Sequence, residues 1–186
     1  MRGSRLPKLS RRRILQAGIG AALVAGGSAV AFVRTRGYEL PPGRTLAAFT
    51  PWQFLVVQSA ARRITAPDRP GDASIPGADE LDVAGFVDGW VARMDAAVRR
   101  DLGRFLGYVE HVAPVGAGFA SRFTRLKEGE QDSVLASVES SSTDLLRAGF
   151  DGLRSLVFMG YYRDARAWSI AGYDGPLVNR PAGGWR

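Results

Sequence analysis

From Leu81 to Val109 apolar side chains return at helical spacing almost without a break. Val83, Phe86, Val87, Trp90, Val91 and Met94 form one set; Val98, Leu102, Phe105, Leu106 and Val109 form the next. Steps of three and four residues place each set on one face of an α-helix, and such a face must be buried against a neighbour. An earlier helix opens at Thr50-Pro51-Trp52-Gln53, where Thr50 suits an N-cap, Pro51 the first helical position and Gln53 the return arm of a capping box. Its apolar positions Trp52, Leu55, Val56, Ala60 and Ile64 predict one buried stripe. A shorter helix is expected from Glu128 to Ser141 with Val134, Leu135 and Val138 inward, and a long one from Ser142 to Tyr161. In the long one Leu146, Phe150, Leu153 and Val157 form the core face, with Leu145, Gly149 and Leu156 beside them. No stretch alternates apolar with polar residues, and no Asn-Gly or Asp-Gly joins two β-type runs. The expected fold is all-α: a small bundle of about five helices with an irregular, aromatic-rich C-terminal tail, preceded by a signal or anchor helix.

The intervening segments read as connections. Residues 32–49 carry Pro41, Pro42 and Gly43 and are expected to be a linker, or over 34–49 a loosely laid arm, leading into a helical domain over 50–186. Pro67, Pro70, Gly71, Pro76 and Gly77 among several acids make 66–81 a surface loop. Arg62-Arg63 and Arg99-Arg100 are expected on solvated helix faces.

Residues 1–31 have a different character. Six basic residues and no acid accompany a Gly/Ala-rich apolar run from Ile14, the pattern of an export signal. Ser10-Arg11-Arg12-Arg13-Ile14-Leu15-Gln16 fits the twin-arginine pattern, with Arg11 and Arg12 followed by the apolar pair Ile14 and Leu15. Ala29 and Ala31 supply the small residues of a signal-peptidase site, with cleavage expected after Ala31. A run of about 20 residues also has the length of a membrane span. Its glycines and serine favour a cleaved signal over a retained anchor. Expected localisation is the periplasm, at the cytoplasmic membrane.

Removing that leader changes the charge. Of 25 Lys and Arg residues six lie in it, leaving 19 against 18 acids. A nucleic-acid partner requires a basic stripe that this balance does not supply. The chain has no cysteine and one histidine, which removes disulfides, thiol catalysis and multi-histidine metal sites. His111 reads as a helix-end residue, because no strand-turn-helix is present to build a nucleophile elbow around it. No catalytic, cofactor-binding or metal-ligating residue is therefore assigned to this chain. The twin-arginine route carries folded cargo, usually built around a cofactor. A signal of that kind on a chain without cofactor ligands points to a partner as the cargo.

The C-terminal stretch offers a surface for one. Tyr161, Tyr162, Arg163, Arg166, Trp168 and Tyr173, with Trp185 further on, interleave aromatic and guanidinium groups among glycines. These types are enriched at the energetic centres of protein interfaces. The other reading is a tail folded back to cap its own helices.

In order and context the chain resembles the gluconate 2-dehydrogenase subunit 3 family. The resemblance rests on the twin-arginine leader, the helix from Thr50-Pro51 to Arg62-Arg63-Ile64 before a Pro-rich acidic loop, and the Phe86-Val87-Asp88 helix. Leu126 to Gln131 before Val134-Leu135, Gly160-Tyr161-Tyr162, and Trp168 through Gly172-Tyr173-Asp174-Gly175-Pro176 complete it. It implies a non-catalytic small subunit that escorts a large FAD-dependent flavoprotein of the glucose-methanol-choline type through the twin-arginine route. That partner oxidises a sugar, sugar acid or polyol, and a cytochrome c subunit is a further partner in such complexes. The competing reading is a stand-alone, membrane-tethered envelope protein binding through its tail.

Overall fold

The computed structural model describes residues 37–66, 75–173 and 175. The unit that begins at Leu40 is helical. Its α-helices are α1 (Pro51–Ile64), α2 (Val83–Val91), α3 (Ala96–His111), α4 (Ala113–Gly116), α5 (Glu128–Glu139) and α6 (Asp144–Tyr162). Two 3-10 segments, Phe123–Arg125 and Ala165–Ala171, complete the described elements, and no strand occurs among them. The all-α class expected from the periodicity is the class observed.

Helix α1 begins as its sequence requires: Thr50 is extended, and the Gln53 Oε1 accepts from the Thr50 N–H at 2.8 Å. It then runs through the middle of the bundle, touching α2, α3, α5 and α6. A helix with neighbours on several sides buries a broad arc, not a stripe. The fully enclosed residues are accordingly Phe54, Val56, Val57, Ser59, Ala60 and Ala61, while Trp52, Leu55 and Ile64 lie at the margin of the core. The two alanines and Ser59 let neighbouring axes approach.

The remaining helices close around α1. Helix α5 buries Val134, Leu135 and Val138 as expected, and α6 buries Phe150, Leu153, Leu156, Val157 and Tyr161. Two expected core positions lie outside: Val98 is 48% exposed and Leu145 is 79% exposed. Both sit in the first turn of their helices, before the axis has reached its neighbours. Glycines mark the closest approaches. A Cβ at Gly149 would stand 2.4 Å from the Phe105 ring, and one at Gly160 2.9 Å from Phe86. Any larger residue there separates α6 from α3 or from α2.

Two carboxylates lie inside this core. Asp88 accepts the backbone N–H groups of Ala47, Ala48 and Phe49 at 2.6, 2.9 and 2.7 Å. Residues 40–49 are therefore bound to the domain rather than forming the second half of a linker. Leu40, Leu46 and Ala48 pack against the core, and Phe49 is buried. Glu110, fully buried, accepts from the Thr124 N–H at 3.0 Å and its hydroxyl at 2.7 Å, with Arg122 at 3.7 Å. That holds the Phe123–Arg125 turn so that Phe123 plugs the core, and the Gln131 side chain secures the Phe123 carbonyl at 3.0 Å.

Candidate partner interface

The aromatic C-terminal stretch folds back on its own domain. Helix α6 continues through Tyr162, and the segment expected to be irregular contains the 3-10 helix Ala165–Ala171. Asp164 caps it, accepting from the Arg166 N–H at 3.0 Å. The Arg166 side chain, and then that backbone bond, hold the Asp164 carboxyl down at about 2. Arg166 also reaches Glu80 at 2.6 Å, which ties the cap to the turn before α2. Gly172, with a φ of 62°, ends the segment in the left-handed conformation that glycine adopts without strain.

The sequence-predicted interface residues separate into groups. Tyr161 is 2% exposed, and its hydroxyl donates to the Pro76 carbonyl at 2.8 Å. It is a core residue, since its place on α6 points it under the 76–81 turn. Burial raises its phenol above the usual value. The Trp168 indole N–H donates to the Tyr162 carbonyl at 2.8 Å, and Tyr173 packs edge-on against Trp168 at 5.1 Å. Tyr162, half-buried, meets Phe158 at 5.8 Å. With Ile64, Thr65, Ala66, Tyr161 and Ile170 these two line a shallow hollow of about 180 Å³. Arg166 and Tyr173 stay exposed. Trp185 lies outside the described residues, as do Arg11, Arg12, Ile14, Leu15, Ala29 and Ala31.

A second surface was not singled out by the sequence. On α2 the buried arc is Val83, Ala84, Val87, Asp88 and Val91, which leaves Phe86 and Trp90 half-buried at its edge. The two rings stack at 5.8 Å with 28° between planes. The Arg163 guanidinium lies over Phe86 at 5.0 Å and that of Arg93 over Trp90 at 5.0 Å. The result is a strip in the order Arg163, Phe86, Trp90, Arg93. Arg163 is fixed further by donating to the Leu81 carbonyl at 3.0 Å. The signal for this strip was present in the spacing: Asp88 lies four residues after Ala84, so the buried arc is rotated away from Phe86 and Trp90.

Several charges elsewhere are paired within the fold. Arg44 forms a forked pair with Asp82 at 2.6 and 3.0 Å. Asp82 there has a φ of 47°, a left-handed conformation costing a non-glycine residue roughly 1 kcal/mol. Arg63, expected on a solvated face, is 16% exposed and joins α1 to α5 through Asp132 at 2.7 and 2.8 Å and Glu128 at 2.8 Å. His111 ends α3 with its ring 6.1 Å from Trp52, the helix-end position expected. Among the described residues no three His, Asp or Glu side chains converge as metal ligands, and no helix is long and apolar enough to cross a membrane.

This helical unit, with its strip and its folded-back cap, falls within a known family model: that of gluconate 2-dehydrogenase subunit 3 matches residues 51–175. The chain belongs to that family. It is thus a subunit of a dehydrogenase complex, and its partners are the dehydrogenase's other subunits. The matched range contains α1 through the C-terminal cap, with the strip and Tyr161 to Tyr173, and excludes residues 1–50 and Trp185. Comparison with curated proteins and with solved structures gives no match.

Proposed function

We propose that this chain is the non-catalytic small subunit of a periplasmic, FAD-dependent dehydrogenase of the glucose-methanol-choline type. The large partner oxidises an alcohol group of a sugar, sugar acid or polyol and passes electrons to a cytochrome c subunit or another membrane acceptor. This chain acts as assembly partner and twin-arginine escort. The flavoprotein crosses the membrane bound to it, under the signal at Arg11 and Arg12. Flavin belongs to the partner, and no residue here is assigned to it.

Family membership over residues 51–175 is the observation that carries the reading. The described side chains agree with it in kind. Asp88 and Glu110, the buried carboxylates, serve as acceptors for Ala47 to Phe49 and for Thr124, so their chemistry is that of holding backbone in place. The strip on α2 combines aromatic and guanidinium groups of the type found at interface centres.

Native mass spectrometry of the tagged full-length chain, expressed with its neighbouring genes, tests the assembly. The expected species holds this chain, a large subunit and FAD. A monomer emerging alone from those cells overturns the subunit reading. Replacing Arg11-Arg12 by a lysine pair is expected to retain both this chain and the flavoprotein in the cytoplasm. Export of the flavoprotein regardless refutes the escort role alone.

A further inference from the structure

We propose that the strip formed by Arg163, Phe86, Trp90 and Arg93 docks an acidic surface of the dehydrogenase partner, whose Asp or Glu carboxylates pair with the two guanidinium groups. This rests on the subunit reading above and specifies which face of the chain meets the large subunit and by what chemistry.

Charge complementarity carries the argument. Many described arginines already hold a carboxylate, among them Arg44 with Asp82, Arg62 with Asp79, Arg63 with Asp132, Arg154 with Glu139 and Arg166 with Asp164. Of the described arginines without one, Arg93 and Arg163 are those that lie over an aromatic ring. Arg93 has no carboxylate within 4.0 Å among the described residues; its contact is the face of Trp90. Arg163 has none in direct contact either, donating instead to the Leu81 carbonyl while its charge reaches neighbouring Asp164. A guanidinium carries five N–H donors, and one lying on a ring keeps its donor edge available to a carboxylate fork. Arg99 adds a further cation at this end of α2, donating to the Ala92 carbonyl at 3.2 Å. Between the charges the stacked rings supply apolar surface that a partner can cover, the arrangement of a central anchor with charged flanks.

The same charges select the occupant. In a symmetric contact with a second copy, this strip would meet itself and set Arg93 and Arg163 against their own counterparts. Like charges across an interface oppose association, whereas a carboxylate-bearing face is attracted and aligned. Gly160 keeps the strip in place, because a Cβ there would stand 2.9 Å from the Phe86 ring.

The test uses the full-length chain co-expressed with its large subunit. Arg93→Glu is expected to lower recovery of the flavoprotein about tenfold at physiological salt, more so as salt falls. Arg104→Glu, on an exposed turn of α3, is the control and should leave recovery unchanged. Arg93→Lys then reads the contact directly, since the sequence has only Lys8 and Lys127 as other lysines. Carbodiimide activation of a partner carboxylate, attack by the new amine and release of the urea give an amide cross-link, which mass spectrometry locates at an Asp or Glu of the large subunit. Wild-type chain that recovers no flavoprotein sinks the subunit reading and this proposal with it. Flavoprotein recovered equally by wild type and Arg93→Glu, or a cross-link found only between copies of this chain, overturns the strip alone. So does binding of the isolated chain to phosphatidylserine-containing vesicles that Arg93→Glu abolishes while flavoprotein recovery stays intact.

Discussion

Opposite uses of charge meet on the two sides of helix α2. Inward, Asp88 is surrounded by donors, with the amides of Ala47, Ala48 and Phe49 filling its carboxylate. Outward, Arg93 and Arg163 lie on the faces of Trp90 and Phe86 with no carboxylate against them. The inner group matters to the fold because the buried Phe49 amide, left unpaired, has no water to turn to. The outer groups contribute little to the isolated chain, since water satisfies an exposed guanidinium nearly as well as a partner does. Helix α2 thus lies between a carboxylate that holds backbone in place and two guanidinium groups that have no carboxylate against them among the described residues.

That contrast can be broken most directly at Asp88. Asp88→Ala leaves three amides without their acceptor and should cost about 3 kcal/mol or more, read as a lowered urea midpoint. A loss below roughly 1 kcal/mol would mean that residues 40–49 are not held by this carboxylate. Gly149→Ala is expected next, at about 1 to 3 kcal/mol, because the added methyl meets the Phe105 ring. On the same helix Gly152 faces open space, so Gly152→Ala should instead stabilise by up to about 1 kcal/mol. Equal effects at the two glycines would remove the argument from close approach. Tyr161→Phe keeps the buried ring but removes the donor to Pro76, and about 1 kcal/mol is expected from thermal unfolding. The smallest effect should come from Arg93→Glu, within about 0.5 kcal/mol for the chain alone. A larger loss would make Arg93 a structural residue and weaken the contrast from its outer side.

Much of the helical plan was legible because each helix carries its own period. The starts and ends of α1, α5 and α6 fall within a few residues of the expected ones, since Thr50, Pro51 and the apolar spacing act locally. Burial was less legible where it depends on neighbours. Phe54 is enclosed and Trp52 is not, because α1 is surrounded and its inward arc is wider than any stripe. The buried acids left a trace that apolar counting passes over: Asp88 follows Ala84 by four residues, and Glu110 follows Leu106 by four. An acid at a core register position is a request for donors, and the donors come from segments dozens of residues away or from a turn.

The candidate interface divides in the same manner. Tyr161, Tyr162, Arg163, Arg166, Trp168 and Tyr173 stood out by composition, yet composition does not tell a ring that faces inward from one that faces outward. Tyr161 lies under the 76–81 turn and Trp168 is fastened to the Tyr162 carbonyl, whereas Arg163 is carried to Phe86 on another helix.

By itself the amino-acid order determined that the domain is helical, where its helices begin and end, and which family it belongs with, because spacing, caps and breakers act over a few residues. Tertiary packing decided the rest: that Asp88 holds the arm, that Tyr161 is core, and that Phe86 lies under Arg163. Those outcomes depend on side chains far apart in sequence reaching the same few ångströms, and no local pattern encodes that distance.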